Sequence, residues 1–147
     1  MIPDLPANID DIKGFLAQDE AEALYEHALQ SSSQGAVLEI GSYCGKSTIY
    51  LGLACRQNKA TVFALDHHRG SEEHQLGEYF HDPDLYDDGE GLVDTFKEFR
   101  RNISSAGLNE TVVPVVAGSE AAARQWQTPL AMVFIDGGHS LEAALTD

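Results

Sequence analysis

The strongest constraint on the fold is an alternation between short apolar segments and segments with helical spacing. An apolar segment of strand length that is not interrupted by polar residues is typical of a strand buried on both faces. Four such strands are predicted, at residues 36–40, 61–65, 112–116 and 130–135. Helices are predicted at residues 19–30, after Gly45, along Leu92, Phe96, Phe99 and Ile103, and after Ser119. Helical crossovers between buried strands imply parallel pairing, so we predict a doubly wound α/β domain with a mostly parallel sheet.

The composition favours one folded domain with a small-molecule partner. The 147 residues are 43% hydrophobic, which is enough for a single core. Nine Lys+Arg against 24 Asp+Glu give a formal net charge of −15, which disfavours nucleic acid and anionic membrane surfaces. The N-terminus lacks an apolar signal core, and the two cysteines show neither metal spacing nor a disulfide framework. We therefore expect a cytoplasmic protein that binds neither nucleic acid nor membrane.

The last predicted strand, LAMVFI at residues 130–135, has the pattern of a central strand, yet it is the last strand in the sequence. A central strand left at a sheet edge exposes backbone donors and apolar side chains. We therefore expect residues 1–147 to be the N-terminal portion of a longer domain that is truncated after the fourth strand. Edge pairing in a homodimer is the less favoured explanation.

The segment EIGSYCGKST joins the first strand to a helix through Gly41 and Gly45. Such a turn exposes backbone N–H groups, and glycine lets a ligand approach the backbone closely. A phosphate-binding P-loop has one more residue between its glycines, which counts against an NTP. A dinucleotide turn has a middle glycine that is absent here, so a pyrophosphate would meet a Cβ atom. Neither phosphate ligand is therefore favoured.

S-adenosylmethionine is the third candidate ligand, and it carries an ammonium and a sulfonium in place of a pyrophosphate. Glu39 would repel phosphate but suits a cation, and Asp66 follows the second strand, where it is placed to accept hydrogen bonds from both ribose hydroxyls. Gly118 and Ser119 follow the third strand, where they are placed beside the adenine. The simpler alternatives are that Glu39 caps a helix and that Asp66 only ends a strand. Taken together, these residues favour S-adenosylmethionine.

The segment EIGSYCGKST resembles the first motif of class I S-adenosylmethionine-dependent O-methyltransferases, including the catechol type, and VFIDGGHS resembles the sugar and macrolide O-methyltransferases. The resemblance extends from about residue 15 to the end of the chain. It implies a Rossmann-like sheet, of which this chain carries the first part, and methylation of a small-molecule hydroxyl. The predicted cofactor-binding residues are Glu39, Gly41, Ser42, Tyr43, Gly45, Ser47, Asp66, His67, Gly118 and Ser119.

Asp136 and His139 follow the fourth strand, at the edge that faces the proposed methyl donor. Methyl transfer to a hydroxyl requires alignment with the sulfur and removal of a proton. Asp136 suits Mg²⁺ or another divalent cation, and the resemblance implies an Asp here as the first metal ligand in metal-dependent members. His139 suits a general base near neutral pH, although the catechol type has a Lys there. We predict both residues as catalytic; a helix cap and a loop histidine are the structural alternatives.

Residues 67–91 are polar and irregular and carry four of the six histidines. Long loops in compact domains are often active-site lids, so we predict a lid-like insertion that helps to select the acceptor, with a solvated acidic loop as the alternative. Two other functions stay open. One is a cofactor-binding domain without activity, and the other is a P-loop-like nucleotide-binding domain in which Lys46 points into the turn. Cys44, Phe96, Phe99 and Trp126 are predicted to be structural.

Overall fold

The computed structural model describes residues 1–70, 82–87 and 89–136. The helices are α1 (Gln18–Ser31), α2 (Lys46–Gln57), α3 (Phe96–Ser105) and α4 (Ser119–Ala123). The strands are β1 (Ala36–Ile40), β2 (Val62–Leu65), β3 (Tyr86–Asp87), β4 (Leu92–Val93), β5 (Val112–Val115) and β6 (Leu130–Ile135). Short 3-10 helices cover Ile9–Asp11 and Pro83–Leu85. None of the described helices is long and apolar enough to span a bilayer.

The main sheet has four parallel strands in the order β5–β2–β1–β6. From β1 the chain passes through α2 to β2 and through α3 to β5, and it then returns to the other side of β1 as β6. The strand order therefore reverses at β1, and the loops after β1 and β6 meet at that point. In doubly wound sheets this is where ligands bind. The predicted α/β architecture is confirmed.

Helices cover both faces of the sheet. On one face, Val37, Val62 and Ala64 pack in a core with residues of α1, α2 and α3. On the other face, Leu38, Ile40 and Leu65 pack with residues around α4. There the Trp126 ring meets Phe63 edge-on at 5.2 Å between centroids, which confirms the structural role predicted for Trp126. Alternate residues of a strand point to opposite faces, so strands with apolar residues in both positions need this double cover.

The prediction that Leu92 belongs to the third helix was wrong. Leu92 lies in β4, which pairs with β3 as an antiparallel ribbon, and its side chain is exposed. The helix begins at Phe96 because the Asp94 carboxylate accepts a hydrogen bond from the Phe96 backbone N–H at 2.9 Å. The description of residues 67–91 as irregular was therefore also incomplete, since β3 and the 3-10 helix Pro83–Leu85 lie within that segment. The left-handed Gly107 after α3, with φ 72°, confirms the predicted helix stop.

The fourth predicted strand matches β6 in its bounds and has the exposure that its sequence pattern led us to expect. Among the described strands, β6 pairs with β1 alone. Val133 and Ile135 are about half exposed, at 47% and 53%. Among the described residues, this edge therefore presents apolar side chains and a row of backbone groups with no strand partner on the outer side of the sheet.

Candidate functional site

The turn between β1 and α2 is bent by residues with positive φ. Gly41 and Gly45 have φ 93° and 94°, and Tyr43 between them has φ 50°. Glycine adopts this region without a steric cost, whereas other residues rarely do. A Cβ atom at Gly45 would also lie 3.2 Å from the Phe99 ring. The turn therefore requires glycine at residue 45 for both its conformation and its packing.

Helix α3 holds the back of this turn. The Asn102 side-chain amide donates to the Cys44 carbonyl at 2.8 Å, and both residues are buried. Cys44 packs with Leu85 and Val93, and burial raises the pKa of its thiol to about 12. A thiol in this state is a poor nucleophile. The prediction that Cys44 is a small structural residue is confirmed, and Phe99, which is 1% exposed, is likewise in the core. Phe96 is only partly buried and packs against that core.

Asp66 connects the end of β2 to the turn. One carboxylate oxygen accepts from the Tyr43 backbone N–H at 2.7 Å, and the other accepts from the His68 backbone N–H at 2.9 Å. The Asp66 side chain is 16% exposed, so it keeps a surface that a ligand can reach. Asp66 therefore does more than end a strand, because it fixes two backbone amides. His67 beside it is half exposed, with Nδ1 3.9 Å from Asp66 Oδ1.

Glu39 lies behind the turn and is completely buried. Its two carboxylate oxygens accept hydrogen bonds from the hydroxyls of Ser47 and Thr48. Burial raises the pKa of Glu39 to about 7; the two hydroxyl groups oppose this, and the charges of Asp136 and Asp66 add to it. Glu39 and Ser47 therefore contact one another directly. Their predicted contacts with a cofactor stay predictions.

A pocket opens between the turn and the segment that precedes α1. Its walls are residues 13–16, residues 41–43, Lys46 and Ser47 at the start of α2, and Asp136 after β6. It therefore brings together Gly41, Ser42, Tyr43, Ser47 and Asp136 from the predicted site. Asp136 is held there because its backbone N–H donates to the Ile40 carbonyl at 2.7 Å, which extends the pairing of β1 with β6.

Gly118 and Ser119 lie at the start of α4, next to Asp66. The Ala117 backbone N–H donates to the Asp66 carbonyl at 3.2 Å, which holds the loop after β5 beside the loop after β2. Within residues 1–70, 82–87 and 89–136, a Cβ atom at Gly118 would meet nothing within 4 Å. The described residues therefore leave open space where the adenine is predicted, and that contact stays a prediction.

Of the two residues predicted to bind a metal ion or act as a base, only Asp136 is described. His139 lies outside the described residues. In residues 1–70, 82–87 and 89–136, no group of three His, Cys, Asp or Glu side chains is arranged to hold a metal ion. The described residues thus offer Asp136 as one oxygen ligand, which is fewer than a Mg²⁺ site needs. The metal role of Asp136 stays a prediction.

Four residues that organise the site were not predicted from the sequence: Lys13, Thr48, His68 and Asn102. Asn102 carried a usable signal, since it follows Phe99 by three residues on the apolar face of an amphipathic helix, where a polar side chain needs a partner. Thr48 adjoins the predicted Ser47. Lys13 and His68 act through contacts that are distant in sequence or depend on backbone conformation, so no spacing rule would find them.

A family model described as a methyltransferase domain matches residues 38–147. The chain therefore belongs to this methyltransferase-domain family. The matched segment begins in β1 and includes the turn, Asp66, the loop at Gly118 and Asp136. The motif resemblance noted above is thus supported by a match over most of the chain.

Solved methyltransferase structures share the fold. An O-methyltransferase from Bacillus cereus in complex with SAH is 20% identical, with a TM-score of 0.56, over 87% of this chain and 49% of that one. The O-methyltransferase TomG from Streptomyces achromogenes, involved in tomaymycin synthesis and solved with SAM, is 16% identical, with a TM-score of 0.56, over 84% and 45%. SAH-bound methyltransferase PaMTH1 from Podospora anserina is 13% identical, with a TM-score of 0.66, over 97% and 56%. The chain therefore spans about half the length of these structures, and the similarity shows the Rossmann-like fold.

Proposed function

We propose that this chain is the cofactor-binding part of an S-adenosylmethionine-dependent methyltransferase that methylates a hydroxyl group of a small molecule. The observation that carries the proposal is the position of Asp66. Its carboxylate lies beside an open glycine turn, at the point where strand order reverses. Membership of the methyltransferase-domain family supports the reaction class. The Bacillus cereus and Streptomyces achromogenes structures, which are O-methyltransferases, support oxygen as the methylated atom.

The charges around the turn favour a cationic cofactor over a phosphate. Glu39 and Asp66 lie behind and beside the turn, and Asp136 lies on the pocket wall, close enough for its charge to raise the pKa of Glu39. The carboxylates of Asp66 and Asp136 at this edge would repel a triphosphate, whereas an ammonium and a sulfonium would be attracted. Lys46 lines the pocket, but the acidic groups around it count against the P-loop alternative.

Each part of the cofactor has a matching part of the chain. The Asp66 oxygens have lone pairs beyond those used by the two backbone amides, and these suit the ribose hydroxyls. The loop at Gly118 leaves room for the adenine, and His67 is proposed to lie beside the adenosine. The turn of residues 41–45 is proposed to face the amino-acid end. Once bound, S-adenosylmethionine supplies an electrophilic methyl group on its sulfonium.

The acceptor hydroxyl must lose its proton as the methyl group is transferred. We assign the proton to His139, following the motif, and the orientation of the acceptor to Asp136, which lies on the pocket wall. A divalent cation at Asp136 would need further ligands, so we derive no step through a metal ion. Residues 67–91 are proposed to act as a lid that helps to select the acceptor.

We further propose that the protein acts in the cytoplasm, with a small-molecule partner and with neither nucleic acid nor membrane. The net charge of −15 supports this, since phosphate groups would be repelled. A homodimer paired along β6 is an alternative use of the apolar edge.

The test is a calorimetric titration of S-adenosylmethionine into the chain, with ATP and NAD⁺ titrated separately. The Asp66→Asn variant keeps the side-chain shape but loses the charge, and we expect its affinity to fall about tenfold or more. Asp10→Asn, at an exposed position, is the matched control and should bind like the wild-type chain. Binding of ATP in place of S-adenosylmethionine, or no binding by a chain that unfolds cooperatively, would contradict the proposal.

A further inference from the structure

We propose that His68 is a positioning residue for the cofactor site. Its imidazole anchors residue 68 to the start of α3, and its backbone N–H holds the Asp66 carboxylate. His68 thereby sets the affinity for the ribose part of the cofactor. The inference rests on the proposed function, because Asp66 is the residue through which His68 would act.

The first observation concerns the backbone on either side of Asp66. Tyr43 and His68 both have positive φ, 50° and 63°, although neither is glycine. Each donates its N–H to a different oxygen of the same carboxylate. Positive φ is sterically unfavourable for a residue with a Cβ, and it persists only where the surroundings enforce it. Two strained residues therefore converge on Asp66 and fix the direction of its carboxylate.

The second observation is the number of contacts that bind His68 to α3. Its ring is 1% exposed, and Nδ1 lies 2.7 Å from Thr95 Oγ1. Its backbone carbonyl accepts from the Thr95 N–H at 2.9 Å. The rings of Phe96 and Phe99 each lie 5.1 Å from the imidazole. His68 is thus fixed to the helix through its backbone, its ring nitrogen and its ring faces.

The third observation is that a histidine is a costly choice at this position. Within the described part of the chain, His68 Nε2 is buried without a hydrogen-bond partner. A buried unpaired nitrogen has lost its hydrogen bond to water without replacement, and an apolar side chain would pack between two phenylalanines without that cost. Burial lowers the pKa of His68, although Asp66 and Asp94 oppose the effect, so the ring is neutral near pH 7. It therefore contributes position rather than charge.

Helix α3 thereby holds both halves of the site. On the side of the turn, Asn102 fixes the Cys44 carbonyl and Phe99 packs on Gly45. On the ribose side, the His68 ring joins the loop of Asp66 to Thr95, beside the backbone hydrogen bond from the Thr95 N–H and an ion pair between Arg69 and Asp94 at 3.7 Å. Loss of the His68 ring should loosen the ribose side and leave the turn in place.

A double-mutant cycle tests whether His68 acts through Asp66. S-adenosylhomocysteine is titrated by calorimetry into the wild-type chain, Asp66→Asn, His68→Ala and the double variant. We expect His68→Ala to lower the affinity about tenfold, and the double variant to bind no more weakly than Asp66→Asn. The same factors are expected for 5′-methylthioadenosine, which has the ribose and adenine but no amino-acid end.

A conservative variant separates positioning from general destabilisation. Asn tolerates positive φ and can place its amide near the position of Nδ1, so His68→Asn should bind within about threefold of wild type. If His68→Ala does not fold, Thr95→Val takes its place in the cycle, because it removes the partner of Nδ1 and keeps the ring.

Two results would overturn the inference. Losses that multiply in the double variant would show that His68 acts independently of Asp66, and the proposed function would survive. A folded wild-type chain that binds neither probe would overturn the proposed function and the inference with it.

Discussion

The two sides of the glycine turn are held by different kinds of contact. On the α3 side, Phe99 and Asn102 are 1% and 8% exposed, and they act through ring packing and a buried hydrogen bond. On the side of the segment before α1, Lys13 forms ion pairs with Asp82 and Asp84, and Phe15 is 70% exposed. Buried contacts of the first kind are each worth about 1–3 kcal/mol, whereas surface ion pairs are worth less than about 1 kcal/mol. We therefore expect the front of the site to open more readily than the back.

The largest effect should come from filling the back of the turn. In Gly45→Ala, the added Cβ would lie 3.2 Å from the Phe99 ring, at a φ of 94° that alanine rarely adopts. The conformational cost and the overlap together should lower the free energy of unfolding by about 3–4 kcal/mol. Gly118→Ala is the matched control, since its Cβ would meet no atom of the described residues within 4 Å. Equal stability of the two variants in denaturant unfolding would contradict the conclusion that buried contacts behind the turn hold it in place.

The second prediction concerns the charge of Glu39 behind the turn. Its pKa is about 7 in the folded chain, above its ordinary value of 4.5, so the folded chain retains a proton that the unfolded chain releases. The resulting stabilisation is fully present below about pH 4.5 and is lost as the pH rises through about 7. It amounts to about 3 kcal/mol.

Glu39→Gln tests this because glutamine keeps the shape but does not titrate. The wild-type chain should lose stability relative to the variant between about pH 5 and pH 8, measured by denaturant unfolding at each pH. A difference that does not change with pH would show that the Glu39 carboxyl is not held in the buried state described here.

The third prediction removes the buried hydrogen bond on the α3 side. Asn102→Ala leaves the Cys44 carbonyl buried without its donor, and we expect a loss of about 2 kcal/mol in the free energy of unfolding. Asn109→Ala removes an exposed hydrogen bond to Ser104 and should change the stability by less than about 0.5 kcal/mol. If both variants lose the same free energy of unfolding, the hydrogen bond from Asn102 to the turn stabilises the chain no more than an exposed hydrogen bond does.

Much of the fold could be predicted because its elements are buried on both faces. The bounds of β1 match the predicted segment, since a strand covered on both faces is mostly apolar. The bounds of β6 match as well, because its apolar sequence marks the strand even though its residues are only partly buried or exposed. Leu92 shows the limit of this approach. It has helical spacing to Phe96, but the Asp94 side chain binds the Phe96 N–H and starts the helix there. A local hydrogen bond thus overrode the periodicity, and no apolar pattern records it.

The clustering of the predicted site residues was foreseeable where they lie close to the strand ends. Gly41, Tyr43 and Asp66 follow β1 and β2, and the parallel sheet brings them together. The supporting residues were not predictable in the same way. The place of His68 depends on its positive φ and on the packing of α3, and the place of Lys13 depends on acids about 70 residues away in sequence.

The smallest effect should come from the front of the pocket. Lys13 joins the segment before α1 to residues 82–84. Partial burial lowers the pKa of Lys13, but its hydrogen bonds and ion pairs with Asp82 and Asp84 outweigh this and raise the pKa. Lys13 is therefore charged at neutral pH.

Lys13→Ala should lower the free energy of unfolding only slightly, by less than about 1 kcal/mol. The difference should shrink in 1 M NaCl because salt screens exposed ion pairs. Amide hydrogen exchange at residues 13–16 should nevertheless become faster, since the segment loses its attachment. Lys97→Ala, at an exposed position of α3, should leave that exchange unchanged. A loss as large as that of Asn102→Ala would mean that the front is as firmly held as the back, and that a ligand must enter by another route.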